Sequence, residues 1–146
     1  MWRSLKKMTI RLIVFISMTI FFANTYVISN ALTVNSVNTQ PATYKKITPQ
    51  TAMYFMKKYK NFIILDVRTK EEYDKEKIAG AILMPYTDIA KRAPVEIKNK
   101  YSLIFVYCRT GGRSSIAAHE LVKLGYINVY DIGGISSWPY GTVVKK

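Results

Sequence analysis

Residues 102–125 read SLIFVYCRTGGRSSIAAHELVKLG. The first seven form an apolar run of the kind found in strands covered on both faces. The run stops where the glycines begin, so Cys108 falls at the C-terminal end of a strand. SSIAAHELVKLG predicts a helix capped by Ser114 or Ser115, with Ala117, Leu121 and Leu124 on one face and Gly125 as its stop. A strand followed by a turn and a helix reads as one step of a parallel sheet.

The same alternation extends outward. ITPQTAMYFMKKYKN predicts a helix with Thr48 as N-cap, Pro49 in the first position and Ala52, Phe55, Met56 and Tyr59 at helical spacing, ending near Lys60. FIILDV, residues 62–67, is a second apolar strand, and RTKEEYDKEK holds a helical turn. AILMP, ending at Pro85, is a further strand, and TDIAKRA a short helix starting near Thr87. NVYDI supplies the last strand before GGISSWPYG. The fold class is therefore α/β, a central parallel sheet with helices on both faces. Ligands of such sheets bind beyond the strand C-termini, which is where Cys108 stands. Asp66 is expected to bond amides of the turn that follows it, and Arg68 to pair with Glu71 or Glu72. Met53, Met56, Tyr73, Tyr101, Tyr107 and Trp138 are assigned to packing. His119 lies more than a helical turn past the loop and is assigned to surface or packing.

A chain of 146 residues suits one domain with a tail. Its start differs in composition from the rest: MWRSLKKMTIR precedes the apolar run LIVFISMTIFFA, and no charge recurs until Lys45. A basic start, a short apolar core and small residues at Ser29 and Ala31 describe a signal peptide over residues 1–31, cleaved after Ala31. The rival is an anchor over residues 12–28, whose 17 residues fall short of the ~20 that span a bilayer. Residues 32–43 form a polar linker, and 44–146 the folded domain. The expected location is periplasmic or otherwise extracytoplasmic, with membrane contact only if the segment stays uncleaved. Lys and Arg outnumber Asp and Glu by 22 to 9, but the cations are scattered, and no dense basic tract interleaved with aromatics marks a nucleic-acid surface. Nucleic acid is not expected as a partner.

Export exposes thiols to oxidation, yet a single cysteine cannot close an internal disulfide. Its neighbours mark Cys108 as a working thiol. Gly111 and Gly112 allow positive φ angles, which turn successive amides inward into an anion-binding cup. The helix N-terminus behind them adds partial positive charge, and Arg109 and Arg113 flank the cup. Such surroundings lower a thiol from about 8.5 into the range of roughly 3.5 to 7.5. An anion facing a thiolate fits cysteine phosphatases, phosphatase-type arsenate reductases and sulfurtransferases. Phosphatase loops place Arg after five intervening residues, whereas Arg113 comes one place early and Ser114 takes that position. Tyr107 replaces the preceding His, and no general-acid Asp can be assigned. Sulfur transfer needs neither, because sulfite leaves readily.

CRTGGRS resembles the active-site loop of single-domain rhodaneses, the thiosulfate sulfurtransferases. LDVRTKEEY is similar to that family's first-strand motif, KIAGAILMP to its Gly-Ala strand and GGISSW to its closing segment, in the same order over about residues 44–142. Lys77 departs from the His usual in the Gly-Ala segment, a position that is usually structural. The resemblance implies a ping-pong transfer without metal or organic cofactor. Cys108 would take the outer sulfur of thiosulfate as a persulfide and pass it to cyanide or a thiol. Arg109, Thr110, Gly111, Gly112 and Arg113 would form the cup, with Ser114 capping the helix and donating to sulfur. The domain is expected to act as a monomer. The alternative within the fold is a sulfur-carrying or protein-binding module without turnover.

Overall fold

The computed structural model describes residues 43–144. The expected signal peptide and nearly all of the expected linker lie outside them. The elements are β1 (Lys45–Lys46), α1 (Pro49–Lys58), β2 (Phe62–Asp66), α2 (Lys70–Lys75), β3 (Ile82–Leu83), α3 (Ile89–Glu96), β4 (Leu103–Cys108), α4 (Gly112–Lys123) and β5 (Val129–Gly134). Short 3₁₀ turns at Tyr86–Asp88 and Ile135–Ser137 complete the chain. One sheet runs β1-β5-β4-β2-β3 with every pairing parallel, which is the expected α/β class. β1 is an addition: Lys45 and Lys46 pair with Tyr130 and Asp131, and two charged residues carry no apolar pattern by which a strand is read.

Strand alternation divides the interior. Ile104, Val106 and Cys108 of β4 point into a core shared with α3 and α4, whereas Phe105 and Tyr107 point into a second core with α1 and Trp138. β4 is thus covered on both faces, as its unbroken apolar run requires. α1 begins as expected: Thr48 caps it by accepting the Thr51 N–H at 3.2 Å, and Pro49 opens it. Met53 and Met56 pack on the second core.

Two tyrosines depart from their assignment. Tyr101 is 72% exposed, because it sits in the loop before β4 and reaches neither core. Tyr107 does more than pack. It lies beside Asp66 in the β2–β4 register, donates its hydroxyl to Asp66 Oδ2 at 2.6 Å and accepts the Ile78 N–H at 3.1 Å. Burial and the adjacent Asp66 carboxylate raise its pKa far out of the working range, so it stays a donor.

Asp66 also takes the Arg68 backbone N–H at 3.0 Å, as expected, but Arg68 itself corrects the sequence reading. Its guanidinium folds back onto the Asp66 carboxylate at 2.7–3.1 Å and donates to Glu76 O at 2.5 Å, instead of reaching Glu71 or Glu72. The reason is burial. Asp66 is fully buried and Arg68 only 3% exposed, and each charge at such a depth needs the other. Replacing Asp66 by Ala strands the guanidinium and orphans the Tyr107 hydroxyl; urea unfolding should lose about 3–5 kcal/mol, read as a lowered midpoint at unchanged m-value.

Candidate functional site

β4 ends at Cys108 and α4 begins at Gly112, so only Arg109, Thr110 and Gly111 join them. Gly111 makes the reversal alone, at φ +108°, a conformation that costs a side chain far more than it costs glycine. The expectation of two left-handed glycines is corrected, since Gly112 is already helical. The expected cap is corrected with it: Gly111, and neither Ser114 nor Ser115, precedes the helix. Both serines lie inside the first turn. Ser114 Oγ donates to Gly111 O at 3.0 Å, and Ser115 Oγ to Asp131 Oδ2 at 2.9 Å.

This early start leaves the amides of the turn free for the sulfur. The Gly111 N–H donates to Cys108 Sγ at 3.0 Å, and the thiol lies 3.7 Å from Ser114 Oγ, to which it donates. Burial pushes the thiol pKa up, but the amides of Ser114, Gly111 and Thr110 with the Ser114 hydroxyl outweigh it, and the net shift is downward. The α4 N-terminus favours negative charge at the same point. Cys108 is 1% exposed, so a reactant reaches it through the loop mouth, where Arg109, Thr110 and Gly112 are exposed.

The loop rests on the chain after β5. A Cβ at Gly134 would stand 2.4 Å from Arg109 O and 2.7 Å from Thr110 Cα, so only glycine lets the two backbones meet. The Arg109 carbonyl is gripped by the Ser136 N–H at 3.3 Å and its hydroxyl at 2.9 Å. Buried Asp131 fixes this support by accepting the Gly133 N–H at 2.9 Å while holding Ser115 of α4. Sequence reading did not single out Asp131. Its signal is a lone acid within the short apolar stretch NVYDI, two residues before the Gly133–Gly134 pair.

The two loop arginines part company. Arg113 makes a paired contact with Glu72 at 2.6 and 2.8 Å. Glu72 belongs to the capping box of α2 with Thr69, so this ion pair ties the loop to that helix. Hydrogen bonding from Arg113 holds the Glu72 carboxyl down at about 2. Arg109 stays at the mouth, where with Arg68, Glu72, Lys75, Glu76 and Ser136 it lines an open cleft of about 390 Å³. His119 is exposed on α4, and Trp138 is buried in the second core, both as expected.

The family model of the rhodanese-like domain matches residues 48–139. The thiosulfate sulfurtransferase PspE of Escherichia coli is 34% identical over 71 residues, which cover 49% of this chain and 68% of PspE. The thiosulfate sulfurtransferase GlpE of Coxiella burnetii is 33% identical over 96 residues, covering 65% of this chain and 87% of GlpE. A solved structure of an E. coli rhodanese with anions superposes at a TM-score of 0.54 and 30% identity, covering 57% of this chain and 98% of that one. Other relatives are longer. The chain spans 20% of a Porphyra purpurea protein named for adenylyl transfer and 40% of a Bacillus subtilis protein named for sulfur carriage.

Two outcomes follow from the geometry. The pH profile of Cys108 alkylation by iodoacetamide should inflect below the ordinary thiol range, and Ser114→Ala should move it upward by removing one donor to the thiolate. Glu72, depressed from 4.5 to about 2 in the fold, contributes stability that is full above pH 4.5 and disappears as pH falls through 2. Acid unfolding of Glu72→Gln should therefore show a shallower loss than the parent across that window.

Proposed function

The chain belongs to the rhodanese-like domain family, and within it we propose a sulfurtransferase that uses Cys108 as nucleophile and thiosulfate as donor. The observation that carries the reading is the Cys108 sulfur held by the Gly111 amide at 3.0 Å in a loop whose other amides also lower its pKa. The names of two relatives, both thiosulfate sulfurtransferases, support the donor.

In the proposed reaction the Cys108 thiolate attacks the outer sulfur of thiosulfate. A sulfur–sulfur bond forms to Cys108, the bond to the sulfonate sulfur breaks, and sulfite leaves with that electron pair. The amides of Thr110, Gly111 and Ser114 that steadied the thiolate then face the persulfide. Arg109, at the cleft mouth, meets the donor's sulfonate, and Arg113 adds its charge when it leaves Glu72. A thiolate or cyanide finally attacks the outer sulfur of the persulfide, and Cys108 returns as thiolate. Covalent catalysis of this type splits one transfer into two displacements.

The similarity to a protein named for sulfur carriage favours a second reading, in which the domain is loaded and unloaded by protein partners. One experiment tests the first and separates the two. The reduced protein is incubated with thiosulfate, and its intact mass is recorded beside a Cys108→Ser variant. A gain of one sulfur atom, absent from the variant and reversed by cyanide, is expected. No gain on a demonstrably reduced thiol would overturn thiosulfate as donor and leave the carrier reading.

A further inference from the structure

The sulfur site occupies one end of the sheet, and the other end carries a chemistry of its own. With parallel strands and helices returning against them, successive chain segments alternate between the two ends, except that the connection from α2 to the short β3 stays near the sulfur site, with Glu76 in the same cleft as Arg109. The segments opposite Cys108 are residues 57–62, 97–103 and 123–129, which read KKYKNF, IKNKYSL and KLGYINV: six lysines and no acid. Lys45 and Lys46 of β1 stand beside the start of β5. Lys57, Lys58, Lys60 and Lys98 are exposed, while Lys123 pairs with Glu120 at 3.6 Å.

Apart from Glu96 and Glu120, the acids lie elsewhere. Asp66 and Asp131 are buried, and Glu71, Glu72, Asp74 and Glu76 sit on or just after α2. Asp88 precedes α3, and Glu96, at the edge of the lysine end, is taken up by Arg92 at 2.6 Å. Eight of the sixteen Lys and Arg among the described residues are thus gathered by the topology into one face.

The same face exposes apolar groups. Tyr101 is 72%, Ile127 54% and Tyr59 44% exposed. A cleft of about 690 Å³ opens among Tyr59, Phe62, Tyr101 and Tyr130, with Asn61 and Asn99 at its lips. Lysines around exposed tyrosines suit an anionic bilayer: ammonium groups meet lipid phosphates while the rings settle at headgroup depth. The three segments contain no arginine, the side chain suited to bidentate phosphate recognition in nucleic acid.

We infer that the lysine-bearing end docks the domain on an anionic phospholipid surface and so turns the Cys108 loop, at the opposite strand ends, toward solution. This docking is independent of the sulfur chemistry. The unit from Pro41 to Lys146 contains both cores, and the E. coli rhodanese structure, 98% covered by the match, is an entire chain of this kind, so the unit folds on its own.

That unit is sedimented with vesicles of phosphatidylglycerol and phosphatidylcholine, and with phosphatidylcholine alone. Binding is expected only to the anionic vesicles. It should weaken by about tenfold or more in Lys57→Glu/Lys98→Glu or at high salt, and by less than about twofold in Lys70→Glu/Lys91→Glu, which makes the same change in net charge away from this face. Tyr101→Trp should shift its emission to the blue on adding anionic vesicles. An unchanged Cys108 alkylation rate in both double variants establishes that they are folded. Any of four results would overturn the inference: equal binding to neutral vesicles, no binding to either, equal losses in the two doubles, or a lysine-dependent preference for a single-stranded oligonucleotide over vesicles.

Discussion

Three residues separate the last position of β4 from the first of α4, and that short span governs the whole site. A chain reversing so quickly must place one residue in the left-handed region, which Gly111 supplies. The reversal aims the Gly111 amide at Cys108 Sγ and turns the Arg109 carbonyl the other way, toward Ser136. A carbonyl pressed outward needs a surface to receive it. Gly134 provides bare backbone at that point, and Asp131 locks the preceding turn. The loop that holds the sulfur is therefore built jointly by two neighbouring strands, and neither segment alone would hold the amides in place.

The same argument explains what the sequence could disclose. The apolar and helical stretches were legible because each obeys a local rule: β4 is apolar throughout since both its faces are covered, and α1 announces its start through Thr48 and Pro49. Cys108 was legible because the apolar run ends on it. β1 was not, since its pairing with β5 is imposed by neighbours and not by its own two lysines. The cap of α4 was misplaced by three or four residues because the capping rule favours serine, whereas here a left-handed glycine makes the turn and the serines face Gly111 O and Asp131. The partners of Arg68 and Arg113 were misjudged or missed for a related reason. Spacing favours local pairs such as Arg68 with Glu72, but burial of Asp66 claims Arg68 and leaves Glu72 for Arg113, distant in sequence.

Charge follows topology in a similar way. Read along the chain, the lysines are scattered and carry no message. Folded, three of the connections that return from helix to strand fall at one end and their lysines collect there, while four acids gather around α2 and Asp66 and Asp131 are buried within the sheet. The domain becomes electrically two-ended. A parallel sheet makes this possible at no cost to the core, because both ends are built from loops and each can be altered without disturbing the strands.

The loop's arginines affect the sulfur less than its amides do. The strongest effects that lower the Cys108 pKa come from backbone N–H groups and the Ser114 hydroxyl, opposed by burial, and Arg113 couples to the sulfur less strongly. Arg68 is matched by Asp66 and Arg113 by Glu72, so the cations nearest the loop are largely compensated before any donor arrives. Amide dipoles are fixed by the fold and too deeply buried for salt to screen well, and they can serve thiolate and persulfide alike. A guanidinium held by a carboxylate is a different device, because it can exchange that partner for an anion at no loss of pairing. Under the proposed reaction the labour is divided accordingly: the backbone turn prepares the sulfur, and Arg109 and Arg113 receive the charged end of the donor, which is present for only half of the cycle.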